Sequence, residues 1–217
     1  MASGGSKSKS AVLGVVFLLL QVLVLLVFIP GSVFQSILAK EVRWLEAVHS
    51  DRTVIWVADR TFDWHQRLTR DTGVSDGLSW MFIPDTEARD RSGAMDRLGS
   101  TFWFPFVEGR GQALDALAHL ILFRLATLAT WLPMFLLIVA PSFFDGMVER
   151  KIKQCTFSYP SPMKHKYGTV FAVSVGFVML VALFAPVPIP PLLLPVGLLL
   201  SLSVVGVMVI GNMPKRL

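Results

Sequence analysis

"LATLATWLPMFLLIVAPSFFDGMVERKIKQC", residues 125–155, changes character at one point. Leu125 to Phe144 is twenty residues without a charge. As a helix rising 1.5 Å per residue it covers about 30 Å, the thickness of a bilayer's hydrocarbon core. Asp145 then opens a polar run that holds Glu149, Arg150, Lys151 and Lys153. Pro133 and Pro141 are expected to kink or break the helix, which membrane proteins tolerate where neighbours satisfy the freed carbonyls. The stretch reads as a membrane span leading into a cationic aqueous segment.

The rest of the chain agrees. Of 217 residues, 53% are hydrophobic and 16% charged, and the mean hydropathy is +0.61, well above a soluble domain. Three more apolar runs occur: Ala11 to Ile29, Gly168 to Ala185 and Pro191 to Ile210. The first is too long for a signal-peptide core and no small-residue cleavage site follows closely, so it reads as an uncleaved anchor. "PVPIPP", Pro186 to Pro191, is short and stiff, which makes the last two spans a hairpin. The fold class is therefore an all-α integral membrane protein with four transmembrane helices and a helical periplasmic domain between helices 1 and 2. The divisions are a cytoplasmic N-terminus (1–10), spans at 11–33, 112–144, 168–185 and 191–211, a periplasmic segment (34–111), a basic cytoplasmic loop (145–167), a tight turn (186–190) and a cytoplasmic C-terminus (212–217).

Charge orients the chain. Short loops rich in Lys and Arg stay in the cytoplasm. Lys7 and Lys9, the five cations Arg150, Lys151, Lys153, Lys164 and Lys166, and Lys215 with Arg216 all fall on one side of a four-span protein. Residues 34–111 hold ten Lys or Arg against twelve Asp or Glu and fall on the other. In a bacterium the protein sits in the inner membrane with both termini inside. A net charge of +5 does not argue for nucleic acid, because the excess lies beside apolar segments. Direct DNA contact is not expected. One cysteine, Cys155, excludes an intrachain disulfide.

Residues 34–111 carry five of the six tryptophans, with apolar spacing that is mostly helical from Ile37 to Phe62. "DTGVSDG", 71–77, reads as a turn. Phe102, Trp103, Phe104 and Phe106 suit the bilayer interface. The segment is a small helical cap on the spans, or an aromatic docking surface for a partner.

Little of the sequence suggests chemistry. Asp115 and His119 share a helix face, but no HxxxH, CxxC, G-x-S-x-G or P-loop occurs. No catalytic, cofactor-binding or metal-ligating residue is assigned, and the protein is not expected to be an enzyme. Asp115, His119 and Arg124 are the ionisable residues of the second span. Arg124 is expected to reach the headgroups, about 140° around the helix from His119, so the two would not line one pore wall.

Two features suggest contacts. Gly168, Ala172 and Gly176 are spaced by four, as are Gly197 and Ser201. Small residues so placed allow close helix packing in lipid, or are ordinary small residues of membrane helices. The basic segment either fixes topology while lying on anionic headgroups, or recognises a partner. "YPSPMKHKYG" adds Tyr159, Pro160, Pro162 and Tyr167, which a pure charge anchor does not need. The partner-binding candidates are Asp145, Arg150, Lys151, Lys153, Tyr159, Lys164, His165 and Lys166.

The stretch from Trp131 to Gly168 resembles the signature region of a small four-span inner-membrane protein family of conjugative plasmids and integrating conjugative elements. Leu132-Pro133, Asp145-Gly146, Arg150, Ser158, Tyr159, His165 and Lys166 carry the likeness. It covers the C-terminal half well and the remainder in layout. Many members have a Gly/Arg-rich piece where this chain has "KIKQCTFSYPSP", which suggests a plasmid-type subfamily. The resemblance implies an accessory of conjugative DNA transfer, encoded beside the type IV coupling ATPase and binding or stabilising it, among other membrane proteins of the mating apparatus. Alternatives are an exclusion protein that blocks redundant transfer and a small transporter or channel. Homo-oligomerisation is left open.

Overall fold

The structure, a computed structural model, describes residues 4–72, 104–156 and 161–213. Among them are seven α-helices and no strand. Four helical stretches are long and apolar enough to cross a membrane: Gly109–Thr130, Leu132–Cys155, Pro162–Phe184 and Leu193–Ile210. Val12–Phe28 qualifies as a further span when joined to Gly31–Val48 across a 107° bend. The chain divides into two compact units, residues 1–126 with 186–188, and residues 127–185 with 189–217.

The first unit begins with α1 (Gly4–Phe28), the helix of the uncharged run from Ala11. Pro30 stops it and serves as the N-cap of α2 (Gly31–Val48) in extended conformation, φ −71° and ψ 151°. A short break at His49 and Ser50 leads to α3 (Asp51–Thr72), and α4 runs Phe104–Thr130, leaving the unit at Ala126. α2 buries Phe34, Ile37, Glu41 and Leu45, one helical stripe. α4 buries Ala113, Ala116, Leu117, Leu120 and Phe123. The two run side by side in the same direction. A Cβ on Gly31 would stand 3.2 Å from the Ala113 amide, and ten residues on Glu41 meets Arg124. α3 runs antiparallel to both, with Val57 packed among Leu45, Phe123 and Ala126, and His65 reaching Asp115. Leu25 of α1 joins the core of Phe34, Ile37, Ala113, Ala116, Leu117 and Leu120.

Arg124 corrects the reading from sequence. It does not reach toward headgroups. Its side chain is 2% exposed, its guanidinium grips both Glu41 carboxylate oxygens at 2.6–3.2 Å, and Nη2 donates to the Val187 carbonyl at 2.8 Å. A buried cation needs a paired anion, and that anion lies 83 residues away, outside any local pattern. His119 lies apart from Arg124, beside His65, with ring centroids 5.1 Å apart. Arg110 donates to the carbonyls of Leu26 and Val27 at 2.9 and 2.8 Å, satisfying the frayed C-terminus of α1.

In the second unit α5 (Leu132–Cys155), α6 (Pro162–Phe184) and α7 (Leu193–Val205) form an up-down-up bundle, and α7 ends in a π-helical turn, Gly206–Ile210. The expected span 112–144 holds a helix boundary at Trp131. Pro133, in the first turn of α5, has no N–H for a preceding carbonyl. Pro141 stays inside the helix. The basic segment, expected as a loop over 145–167, is helical through Cys155 and again from Pro162. Its residues are good helix formers with a Glu149–Lys153 pair four apart, and Ser161-Pro162 is a helix start: Ser161 Oγ accepts from the Lys164 amide.

The small-residue seam also needs correction. Gly168 and Gly197 do lie at contacts: Gly168 faces Met208 and Val209, and a Cβ on Gly197 would overlap the Met179 terminal methyl. Ala172 is half-buried and Ser201 buried, but Gly176 faces open space. Two steps of four drift about 80° around a helix, whereas a step of seven returns within about 20°. The inward line of α6 is therefore Gly168, Ala172, Val175 and Met179.

Candidate interaction site at the basic end of the second unit

The tightest approach in this unit involves two glycines. A Cβ on Gly146 would overlap the Gly206 carbonyl oxygen, and one on Gly206 would stand 2.9–3.0 Å from Phe143 and the Ser142 carbonyl carbon. No larger residue fits at either position without moving a backbone. This contact, the Gly168–Val209 contact and the Met179–Gly197 contact set the register: α5 and α7 run parallel, α6 antiparallel.

That register delivers the basic segment to the end of α7. The Lys153 ammonium donates to Gly211 O at 3.1 Å and Asn212 Oδ1 at 3.0 Å, and pairs with Glu149 Oε1 at 2.6 Å. All three of its N–H groups are used. Asn212 is itself buried and donates to Met208 O at 3.0 Å. His165 Nδ1 stands 3.2 Å from Val209 O. A helix end leaves carbonyls without partners. Here side chains from α5 and α6 supply donors, so Lys153 and His165 cap the last helix from the side.

The candidates therefore divide. Lys153 and His165 point inward. Lys151, Lys164 and Lys166 are exposed, as is Asp145, and Arg150 is half-buried. Tyr159 lies outside the described residues. Around the outward lysines, Ile152, Met163 and Tyr167 are also exposed. The site is a cationic rim with apolar side chains between the charges, at one end of a three-helix bundle. Sequence reasoning named Asp145 as a partner-binding candidate and Gly146 only within the likeness, and did not single out Gly206, Glu149 or Asn212.

A family model for IncC plasmid conjugative DNA transfer proteins, DtrJ-like, matches residues 34–210. The chain belongs to the DtrJ-like family. The match includes residues 34–111, where the sequence resemblance held only in layout, and it reaches into both units and covers the basic segment 145–167. No curated protein and no solved structure matches the chain.

Proposed function

We propose that this DtrJ-like protein is a non-enzymatic inner-membrane accessory of conjugative DNA transfer that binds or stabilises the type IV coupling ATPase. The observation that carries the reading is the sorting of the basic end. Lys153 and His165 are spent inside the protein, and three lysines stand exposed on a rim in a family of conjugative transfer proteins. The rim suits an acidic protein surface and lies level with anionic headgroups.

Charge supports the topology of this reading. α3 carries Asp51, Arg52, Asp59, Arg60, Asp63 and Arg67, and cannot enter hydrocarbon. The four crossings in this reading are α1, the apolar run from Leu125 into α5, α6 and α7. Four crossings return both termini and the basic end to the cytoplasm, as the positive charges favour.

The test is an affinity pull-down of the tagged full-length chain from donor cells in mild detergent, read by mass spectrometry. Recovery of the coupling ATPase, reduced by Lys151→Glu with Lys164→Glu and Lys166→Glu, is the expected result. Recovery of the protein alone would overturn the assignment and direct attention to recipient cells, where an exclusion protein acts.

A further inference from the structure

α2 leaves α1 at a fixed angle. Pro30 ends one helix and caps the other, and the two axes differ in direction by 107°, which is 17° from a right angle. Arg110 holds the corner, its Nη1 donating to the carbonyls of Leu26, Val27 and Ile29 at 2.9, 2.8 and 3.4 Å. A span along the bilayer normal, or tilted from it by the usual ~20°, therefore sends α2 out close to the plane of the membrane.

A second point fixes the middle of α2. Glu41 grips Arg124, and the same Arg124 Nη2 that reaches Glu41 Oε1 at 2.6 Å donates to Val187 O at 2.8 Å. Arg124 immediately precedes the uncharged run from Leu125, and Val187 lies in the turn between the runs Gly168 to Ala185 and Pro191 to Ile210. Both mark places where the chain passes between water and hydrocarbon. Gly31 follows the end of α1, and Glu41 stands ten residues, about 15 Å, further along. In a four-crossing chain these places share one side of the bilayer. A helix tied to the ends of spans at its start and at its middle runs along the surface, not away from it.

The side chains sort accordingly. One flank of α2, Leu38 and Val42, packs with Val54 and Trp64 of α3. The other carries Val33, Ile37, Lys40 and Trp44 at spacings of four, three and four, and its Ile37 shares a core with Leu25 of α1. Val33 and Lys40 are exposed, Trp44 is half-buried, and the Lys40 ammonium stands 5.3 Å from the centre of the Trp44 ring. An indole with a long cation beside it suits headgroups, the ring at the level of the lipid carbonyls and the ammonium at the phosphates. The exposed arc across the helix, Gln35, Ala39 and Glu46, has neither an aromatic nor a cation. The tether selects the occupant. Val27 and Phe28, at the end of α1, are 44% and 76% exposed, so lipid stands beside the first turn of α2 without any partner being recruited.

We propose that α2 is an interfacial helix lying on the phospholipid headgroups at the C-terminal end of α1, with Lys40 and Trp44 in contact with lipid phosphate and carbonyl oxygens. This rests on the four-crossing topology and not on the coupling-ATPase assignment, which the pull-down tests separately.

The experiment uses the full-length chain in nanodiscs of phosphatidylcholine and phosphatidylglycerol, some of whose headgroups carry a nitroxide quencher. On a Cys155→Ser background, a single cysteine bears an NBD fluorophore. Val33→Cys and Ala47→Cys place it on the flank near the two ends of α2, and Gln35→Cys and Glu46→Cys on the opposite arc. Strong quenching is expected at 33 and 47 and weak quenching at 35 and 46. Lys40→Glu with Trp44→Ala is expected to cut the quenching at 47 about twofold; no change would overturn the contact assigned to those two residues. A helix standing up from the surface would carry 47 about 21 Å beyond 33, so quenching at 33 without 47 would overturn the proposal. Equal quenching at all four positions would do the same, as would shielding of 33 and 47 from both the nitroxide and aqueous iodide, the mark of a protein on this flank. Leu19→Cys, midway along α1, separates the two readings. Failure of nitroxides on the acyl chains to quench it would remove the crossing and the surface contact together. Quenching there without quenching at 47 would remove the surface contact alone.

Discussion

Single residues separate structural from interactive charge. Lys153 and Lys151 are two positions apart, and their side chains have opposite surroundings. Lys153 fills three acceptors, and a hydrogen bond to a charged group contributes about 1.5–3 kcal/mol, less where water competes. Lys153→Ala is expected to lower the melting temperature in detergent by several degrees, and Lys151→Ala to leave it within about a degree, with differential scanning fluorimetry as the readout. A charge reversal that includes Lys153 would confuse a folding defect with a lost contact. The buried pair Glu41–Arg124 makes a sharper case. Glu41→Gln leaves a buried guanidinium short of its anion, an expected loss of about 3–5 kcal/mol, whereas Glu41→Leu with Arg124→Met is expected to cost much less. Chemical denaturation of the two variants side by side checks this; equal losses would mean that the pair's geometry, not its charge, matters.

At the scale of the helix, packing turns on where glycine is required. Gly146→Ala and Gly206→Ala are each expected to prevent stable insertion or to accelerate degradation. Gly176→Ala, whose Cβ meets nothing within 4 Å, is expected to be silent or slightly stabilising. Immunoblot levels after a synthesis chase decide it. This scale also shows what a sequence can disclose. The apolar runs from Ala11, Leu125, Gly168 and Pro191 are legible because hydrocarbon demands length and lack of charge over a continuous stretch. The boundary beside Pro133 is legible because the missing N–H is local. The helical state of residues 145–155 was obscured by their charge, since a solvated helix and a solvated loop have the same composition. Gly176 in place of Val175 was misread because four is close to, but not, the helical repeat. The Gly146–Gly206 contact and the Lys153 cap join residues about sixty apart, and no local pattern announces them.

For the whole molecule the open matter is which side of the bilayer each segment faces, and the chain carries its own reporter. Cys155 is the single cysteine and is exposed at the end of α5. A membrane-impermeant maleimide is expected to leave it unlabelled in intact cells and to label it once the inner membrane is opened. Labelling in intact cells would reverse the orientation.

The Pro-rich tip between α6 and α7 has a consequence for how the protein is made. Residues 186–188 belong to the first unit, although the helices before and after them belong to the second, and Val187 supplies an acceptor for Arg124. Those two residues are 63 positions apart. A ribosome that has finished α4 has delivered the guanidinium and its carboxylate, but not the Val187 carbonyl that also accepts from Arg124. The N-terminal unit is thus begun first and closed late, after α5 and α6 have emerged. A nascent chain stalled before residue 186 would expose an unfinished N-terminal unit to quality-control proteases, and release past residue 188 would abolish that sensitivity.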